Sequence, residues 1–108
     1  MITLMNLRNS KITEPYDVKI DRTSPLGNPY PENIKNGQTR DVVCDRYQEW
    51  FNGLIESKHP RIMLELRRLY SLHKQHGQLR IFCWCTPKRC HGETIKAFLE
   101  QHITKETV

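Results

Sequence analysis

Apolar residues along the chain gather into short groups, and the polar stretches between them carry the turn-forming residues. The first two groups, Ile2–Leu7 and Asp17–Ile20, predict short strands joined by a turn around Glu14–Pro15. From Asp21 to Thr39 the chain reads DRTSPLGNPYPENIKNGQT, with three prolines and two glycines, which predicts a long irregular loop. Thr39 is a good N-cap for a helix reaching about Ser57, because Val43, Tyr47, Trp50, Phe51 and Leu54 recur at three- and four-residue steps and give it one buried face. Pro60 opens a second helix with Ile62, Leu66, Leu69 and Tyr70 on its inner face, and Gly77 ends it. Leu79–Cys85 is rich in apolar and aromatic residues, as a central strand requires. A last helix, from about His91 to Ile103, packs through Ile95, Phe98 and Leu99.

Strands alternating with helices predict a small α/β domain, a short, mostly parallel or mixed sheet covered by about three helices and Rossmann-like by analogy. With 108 residues, one domain spanning 1–108 is expected. In such folds ligands bind beyond the carboxyl ends of strands, next to helix N-termini, which points to the end of Leu79–Cys85 and the start of the last helix.

Composition changes this picture in two ways. No apolar run reaches membrane-spanning length and no signal-peptide pattern opens the chain, so a cytoplasmic protein with no membrane partner is expected. The net charge of +5 is concentrated. Residues 57–91 carry eight basic side chains (Lys58, Arg61, Arg67, Arg68, Lys74, Arg80, Lys88 and Arg89) against Glu65 alone. A localised excess of this kind suits a phosphate-bearing partner, DNA or a nucleotide, with Arg61, Arg67, Arg68 and Lys74 as nucleic-acid contacts.

The chemistry-bearing stretch is CWCTPKRCHG, residues 83–92. Its spacing, Cys83-x-Cys85-x4-Cys90-His91, has the ligand types for zinc. Structural zinc sites usually take pairs from two separate segments, however, so a pocket is favoured over a metal centre. If zinc binds, Cys83, Cys85, Cys90 and His91 are its ligands; Asp17, Asp21, Glu32 and Glu93 leave magnesium open, and no cofactor is required. Cys90 and His91 fall at a helix mouth, where backbone N–H groups favour negative charge and thiolate character. They make a candidate nucleophile and general acid or base, with Cys85 beside them, while Lys88 and Arg89 add positive charge for an anion. Cys44, within an amphipathic helix, reads as core. In the long loop, Arg22 can clamp a phosphate, Ser24 precedes a Gly27-Asn28-Pro29 turn, and Asn28 can hydrogen-bond a base, sugar or phosphate.

The stretches MNLRN, YDVKIDRTSPLGNPYP, RDVVCDRYQEWF and CWCTPKRCHGE together resemble the bacterial and phage family catalogued as domain of unknown function 4326. Its members share an R-x-S-x-x-G-N-P loop, a Y-x-x-W helix and a C-W-C-x-P-x-x-C-H-G/A signature. The family pattern usually has Gly where this chain has Asp21. The resemblance implies that the Arg22–Pro29 and Cys83–Gly92 segments travel together and meet in one pocket. It carries no activity. The expected function is therefore a small, basic, nucleic-acid-directed enzyme, phage-encoded as the range of the family allows, that cleaves strands or processes bases or abasic sites as a nuclease, lyase or glycosylase-type hydrolase. The alternatives are a nucleotide-binding sensor or nucleotide hydrolase, and a zinc-stabilised, non-catalytic module for a host protein partner.

Overall fold

The computed structural model of the chain describes residues 1–30, 33–84 and 88–106. Strands β1 (Ile2–Asn6), β2 (Asp17–Lys19) and β3 (Leu79–Cys83) form a parallel sheet in the order β1-β3-β2. Helices α1 (Arg40–Glu56), α2 (Pro60–His76) and α3 (Gly92–Glu106) complete an α/β fold. The strand expected to be central is central. Its two neighbours do not pair with each other: after β1 the chain returns to the starting edge, makes its turn at Glu14–Tyr16, and enters β2 on the far side of β3.

Two-residue periodicity gives the sheet two unlike faces. The register places Ile2 beside Leu79, and Leu4 and Val18 on either side of Ile81. With Cys83 and Ile20, and with Leu4 packed against them from a partly buried position, these side chains join Tyr47 and Phe51 of α1, Ile62, Leu66 and Leu69 of α2, and Ile95 and Leu99 of α3 in one core. Trp50, Tyr70 and Phe98, expected inside, are only partly buried against that cluster. The opposite face carries Arg80 beside Asp17. Asp17 is fully buried at its side chain and accepts from Arg80 Nε and Nη2, each at 2.6 Å, and from the Thr13 and Glu14 amides at 3.0 Å. This network fixes the crossover that no hairpin closes.

The helix ends follow local chemistry. Thr39 caps α1 by accepting from the Val42 amide, Pro60 opens α2, and Gly77 closes it in the left-handed region at φ 73°. Several boundaries differ from expectation: β1 ends at Asn6 rather than Leu7, β2 at Lys19 rather than Ile20, and α3 at Glu106 rather than Ile103. The central strand stops at Cys83 rather than Cys85, and α3 begins at Gly92, one residue after His91. Cys85 and Pro87 lie outside the described residues. The 21–39 segment is not wholly irregular, since a single 3-10 turn at Ile34–Asn36 is closed by an antiparallel bridge between Asn33 and Gln38. Among the described residues no helix is long and apolar enough to cross a membrane.

Candidate functional site

Because all three strands run the same way, their carboxyl ends share one edge, and the segments leaving β2 and β3 emerge there together. Between them opens a cavity of about 380 Å³. Asp21, Arg22 and Thr23 line it from the β2 side, with Asn28 and Tyr30 further along the same loop. Cys83 and Trp84 line it from the end of β3, Arg89, Cys90 and His91 from the entry to α3, and Arg40, Val43 and Cys44 from α1.

The β2 loop is built on backbone contact. A Cβ on Gly27 would stand 2.2 Å from the Asp21 carbonyl oxygen and 2.7 Å from Arg22 Cα, so only glycine lets the loop fold back on itself. Ser24 accepts from the Leu26 amide at 3.1 Å, and the Gly27 amide donates to the Ser24 carbonyl at 3.0 Å. Asn28 accepts from the Tyr30 amide at 2.9 Å and donates to the Val43 carbonyl of α1 at 3.4 Å. The buried Tyr47 hydroxyl donates to the Leu26 carbonyl at 2.7 Å. Ser24 and Gly27 therefore shape the loop from behind the cavity wall, and Asn28 lines the cavity while stitching the loop to α1. Arg22 is exposed at the rim, and among the described residues no hydrogen bond or ion pair engages its side chain.

Arg89 behaves differently. It lines the cavity, but Nη2 meets Asp45 at 2.7 Å and Nη1 meets Asp41 at 3.1 Å, which raises its pKa further. The guanidinium expected to take an anion instead ties the Cys90 corner to α1. Lys88 is exposed and is not among the lining residues.

At that corner Gly92 packs so tightly that a Cβ would approach Leu4 and Ile20 to 2.7 and 2.8 Å. The Glu93 carboxylate accepts from the Cys90 amide at 3.0 Å, a reciprocal cap on α3. His91 is buried and its Nε2 meets the Ile20 carbonyl oxygen, which can only accept, so Nε2 carries the proton. Burial lowers the His91 pKa and keeps the ring neutral, which leaves Nδ1 as an acceptor 3.6 Å from Cys90 Sγ. The Gly92 amide donates to Cys90 Sγ at 3.4 Å, and Cys83 Sγ lies 2.9 Å away. The roles offered to His91 thus narrow: it can take a proton from Cys90, and its other nitrogen is committed to the sheet.

Sequence reasoning missed Trp84 and Tyr30 as cavity walls, and Cys44 as more than core. Trp84 is 52% exposed, an unusual position for so large an aromatic side chain. Its indole N–H donates to Asp21 at 3.3 Å. Burial works to raise the Asp21 pKa, but hydrogen bonds from Thr23 and Trp84 outweigh it and hold the carboxyl below its usual range. Cys44 is buried as expected, yet it also faces the cavity.

The basic segment is partly spent on the fold. Arg80 pairs with Asp17, Arg89 with Asp41 and Asp45, and Arg68 with Glu65. Arg61, Arg67, Arg68 and Lys74 all lie on the exposed face of α2. The three arginines line a shallow groove with Pro25 of the β2 loop, apart from the cavity. Of the carboxylates considered for magnesium, Asp17 serves Arg80, Glu93 caps α3, and Glu32 lies outside the described residues. Among the described residues no group of three or more His, Cys, Asp or Glu side chains is arranged to hold a metal ion.

The chain belongs to the family described as Domain of unknown function (DUF4326), which matches residues 5–101. No curated protein and no solved structure matches it.

Proposed function

We propose that the protein is a nucleic-acid-directed enzyme that takes one nucleotide unit of a strand into this cavity. The observation that carries the reading is the company kept there: a half-exposed Trp84, an unengaged Arg22 and the Cys90–His91 pair on the walls of one hollow. A volume of about 380 Å³ suits a single nucleotide rather than a duplex. Trp84 supplies a stacking surface, worth about 1–3 kcal/mol per base. Arg22 supplies a planar fork for phosphate. Cys90 is the nucleophile, with the Gly92 amide steadying its charge and His91 Nδ1 receiving its proton. The exposed cations of α2 hold flanking phosphates, and the reaction class is strand cleavage or base or abasic-site processing.

Internal pairing of Arg68, Arg80 and Arg89 favours a second reading, a free mononucleotide in the same cavity, for which the α2 face is incidental. Salt separates the two. Binding of a labelled single-stranded oligonucleotide is expected to weaken steeply with salt. Combined Arg61→Ala, Arg67→Ala and Lys74→Ala substitutions are expected to reduce the log–log slope by about 2, at roughly 0.7 per phosphate contact. Cys90→Ala is expected to retain binding and abolish processing of nicked, abasic or intact strands. A slope unchanged by the triple variant moves the assignment to the mononucleotide, and processing by Cys90→Ala at the wild-type rate removes the nucleophile.

A further inference from the structure

The approach of two sulfurs at the cavity floor has a chemistry of its own, whatever ligand the cavity takes. We infer that Cys83 and Cys90 form a redox-active dithiol, with Cys90 as the sulfur that reacts first with peroxide and Cys83 as the one that resolves it to a disulfide. Cys83 sits at the last position of β3 and Cys90 just before α3, and the sheet and the capped helix hold them with sulfurs 2.9 Å apart. A disulfide needs about 2.05 Å, so closure asks for a movement of under about 1 Å. Both sulfurs are otherwise enclosed, at 1% and 2% exposure, and both line the cavity, which is the route by which a small oxidant reaches them.

The surroundings divide the roles. Cys90 Sγ has an amide donor from Gly92 and the Nδ1 acceptor of His91, so its proton has a place to go and its thiolate a partner. The sequence of steps balances. The Cys90 proton passes to His91, and the thiolate attacks hydrogen peroxide, breaking the O–O bond to give a Cys90 sulfenic acid and hydroxide. The hydroxide takes the proton from His91 and leaves as water. The Cys83 sulfur then attacks the sulfenic sulfur, the S–S bond forms, and the hydroxyl leaves with the Cys83 proton as a second water. Two thiols are oxidised by two electrons, and one peroxide is reduced to two waters. The disulfide removes the Cys90 nucleophile from the cavity and is returned by a dithiol reductant.

The test uses the full chain, exposed to stoichiometric hydrogen peroxide, alkylated with N-ethylmaleimide and digested with trypsin. The expected product is segment 81–88 joined to segment 90–96, lost on dithiothreitol treatment. The link is expected to persist in Cys85→Ser and to vanish in Cys83→Ser. Trp84 separates Cys83 from Cys85, so fragment ions of the wild-type cross-linked peptide assign the bonded sulfur even if Cys83→Ser does not fold. A link made through Cys85 or Cys44, or over-oxidation of Cys90 with no link at all, overturns the inference.

Discussion

Replacing Gly27 by alanine adds one methyl group and is expected to be among the most damaging small changes in the chain. The added Cβ would stand 2.2 Å from the Asp21 carbonyl oxygen, about 1 Å inside even a close C–H···O contact of roughly 3.3 Å. It would also lie 2.7 Å from Asp21 C and Arg22 Cα. All three atoms are backbone, so no side chain can rotate away and the two limbs of the loop must separate. Separation stretches the bonds that hold them: Ser24 amide to Asp21 carbonyl at 2.9 Å, Gly27 amide to Ser24 carbonyl at 3.0 Å, and Tyr47 hydroxyl to Leu26 carbonyl at 2.7 Å. Overpacking costs about 1–3 kcal/mol and each lost hydrogen bond about 0.5–1.5 kcal/mol, so a loss of about 2–5 kcal/mol is expected. That corresponds to a fall in Tm of more than about 10 °C for a domain of this size. Gly53 supplies the control. It lies on the exposed side of α1 with nothing within 4 Å of an added Cβ, so Gly53→Ala is expected to stabilise by about 0.5–1 kcal/mol through helix propensity. Urea unfolding followed by far-UV circular dichroism measures both. If Gly27→Ala lies within about 0.5 kcal/mol of wild type, with m unchanged, the close loop contact does not exist in solution.

Asp17→Ala removes the buried carboxylate under Arg80 and is expected to cost about 2–4 kcal/mol, below the full cost of a buried pair because Arg80 remains a quarter exposed. Burial works to raise the Asp17 pKa, but Arg80 and the Thr13 and Glu14 amides hold it below 3.8. Its stabilisation is therefore complete above about pH 4 and fades as pH falls through the lower folded value, so wild type and Asp17→Ala are expected to converge in acid. For His91 the sign is the same but the pH range is higher, because burial lowers its pKa from 6.5 and the unfolded chain takes the proton first. Stability is expected to fall as pH drops below about 6.5. Urea titrations should show that slope flattened in His91→Gln, with His73→Asn made alongside because His73 is also lowered by burial and by the Met1 ammonium.

Much of this arrangement is legible in the chain. Thr39, Pro60 and Gly77 mark helix boundaries because capping and φ preference act locally, and the structure uses each of them that way. The apolar run at Leu79 marks the central strand because a strand flanked on both sides has no edge to leave polar. The meeting of the Arg22–Tyr30 and Cys83–His91 segments follows from strands of one direction sharing one edge. What stayed hidden was set by distant partners. Arg89 reads as a free cation beside a helix mouth, and nothing local reveals that Asp41 and Asp45, one helical turn apart, form its fork. Arg80 alternates correctly for a strand, but its charge is cancelled by an aspartate 63 positions away. Trp84 reads as one more residue of the central strand, and only the early end of β3 turns it onto the cavity rim. Ser24, Gly27 and Asn28 drew attention as ligand contacts, whereas most of their hydrogen bonds and close approaches are within the loop.

The proposed grip of Arg22 and Trp84 on one nucleotide unit in this cavity is read directly by tryptophan emission. Trp50, the second tryptophan, is removed as Trp50→Phe, leaving Trp84 as the reporter. Titration with a short 5′-phosphorylated single-stranded oligonucleotide, and separately with a mononucleotide, is expected to quench that emission saturably. Arg22→Ala is expected to weaken the affinity at least about tenfold, the effect of one charge-assisted phosphate contact. Emission that does not change with either ligand, or affinities that Arg22→Ala leaves untouched, would rule that grip out.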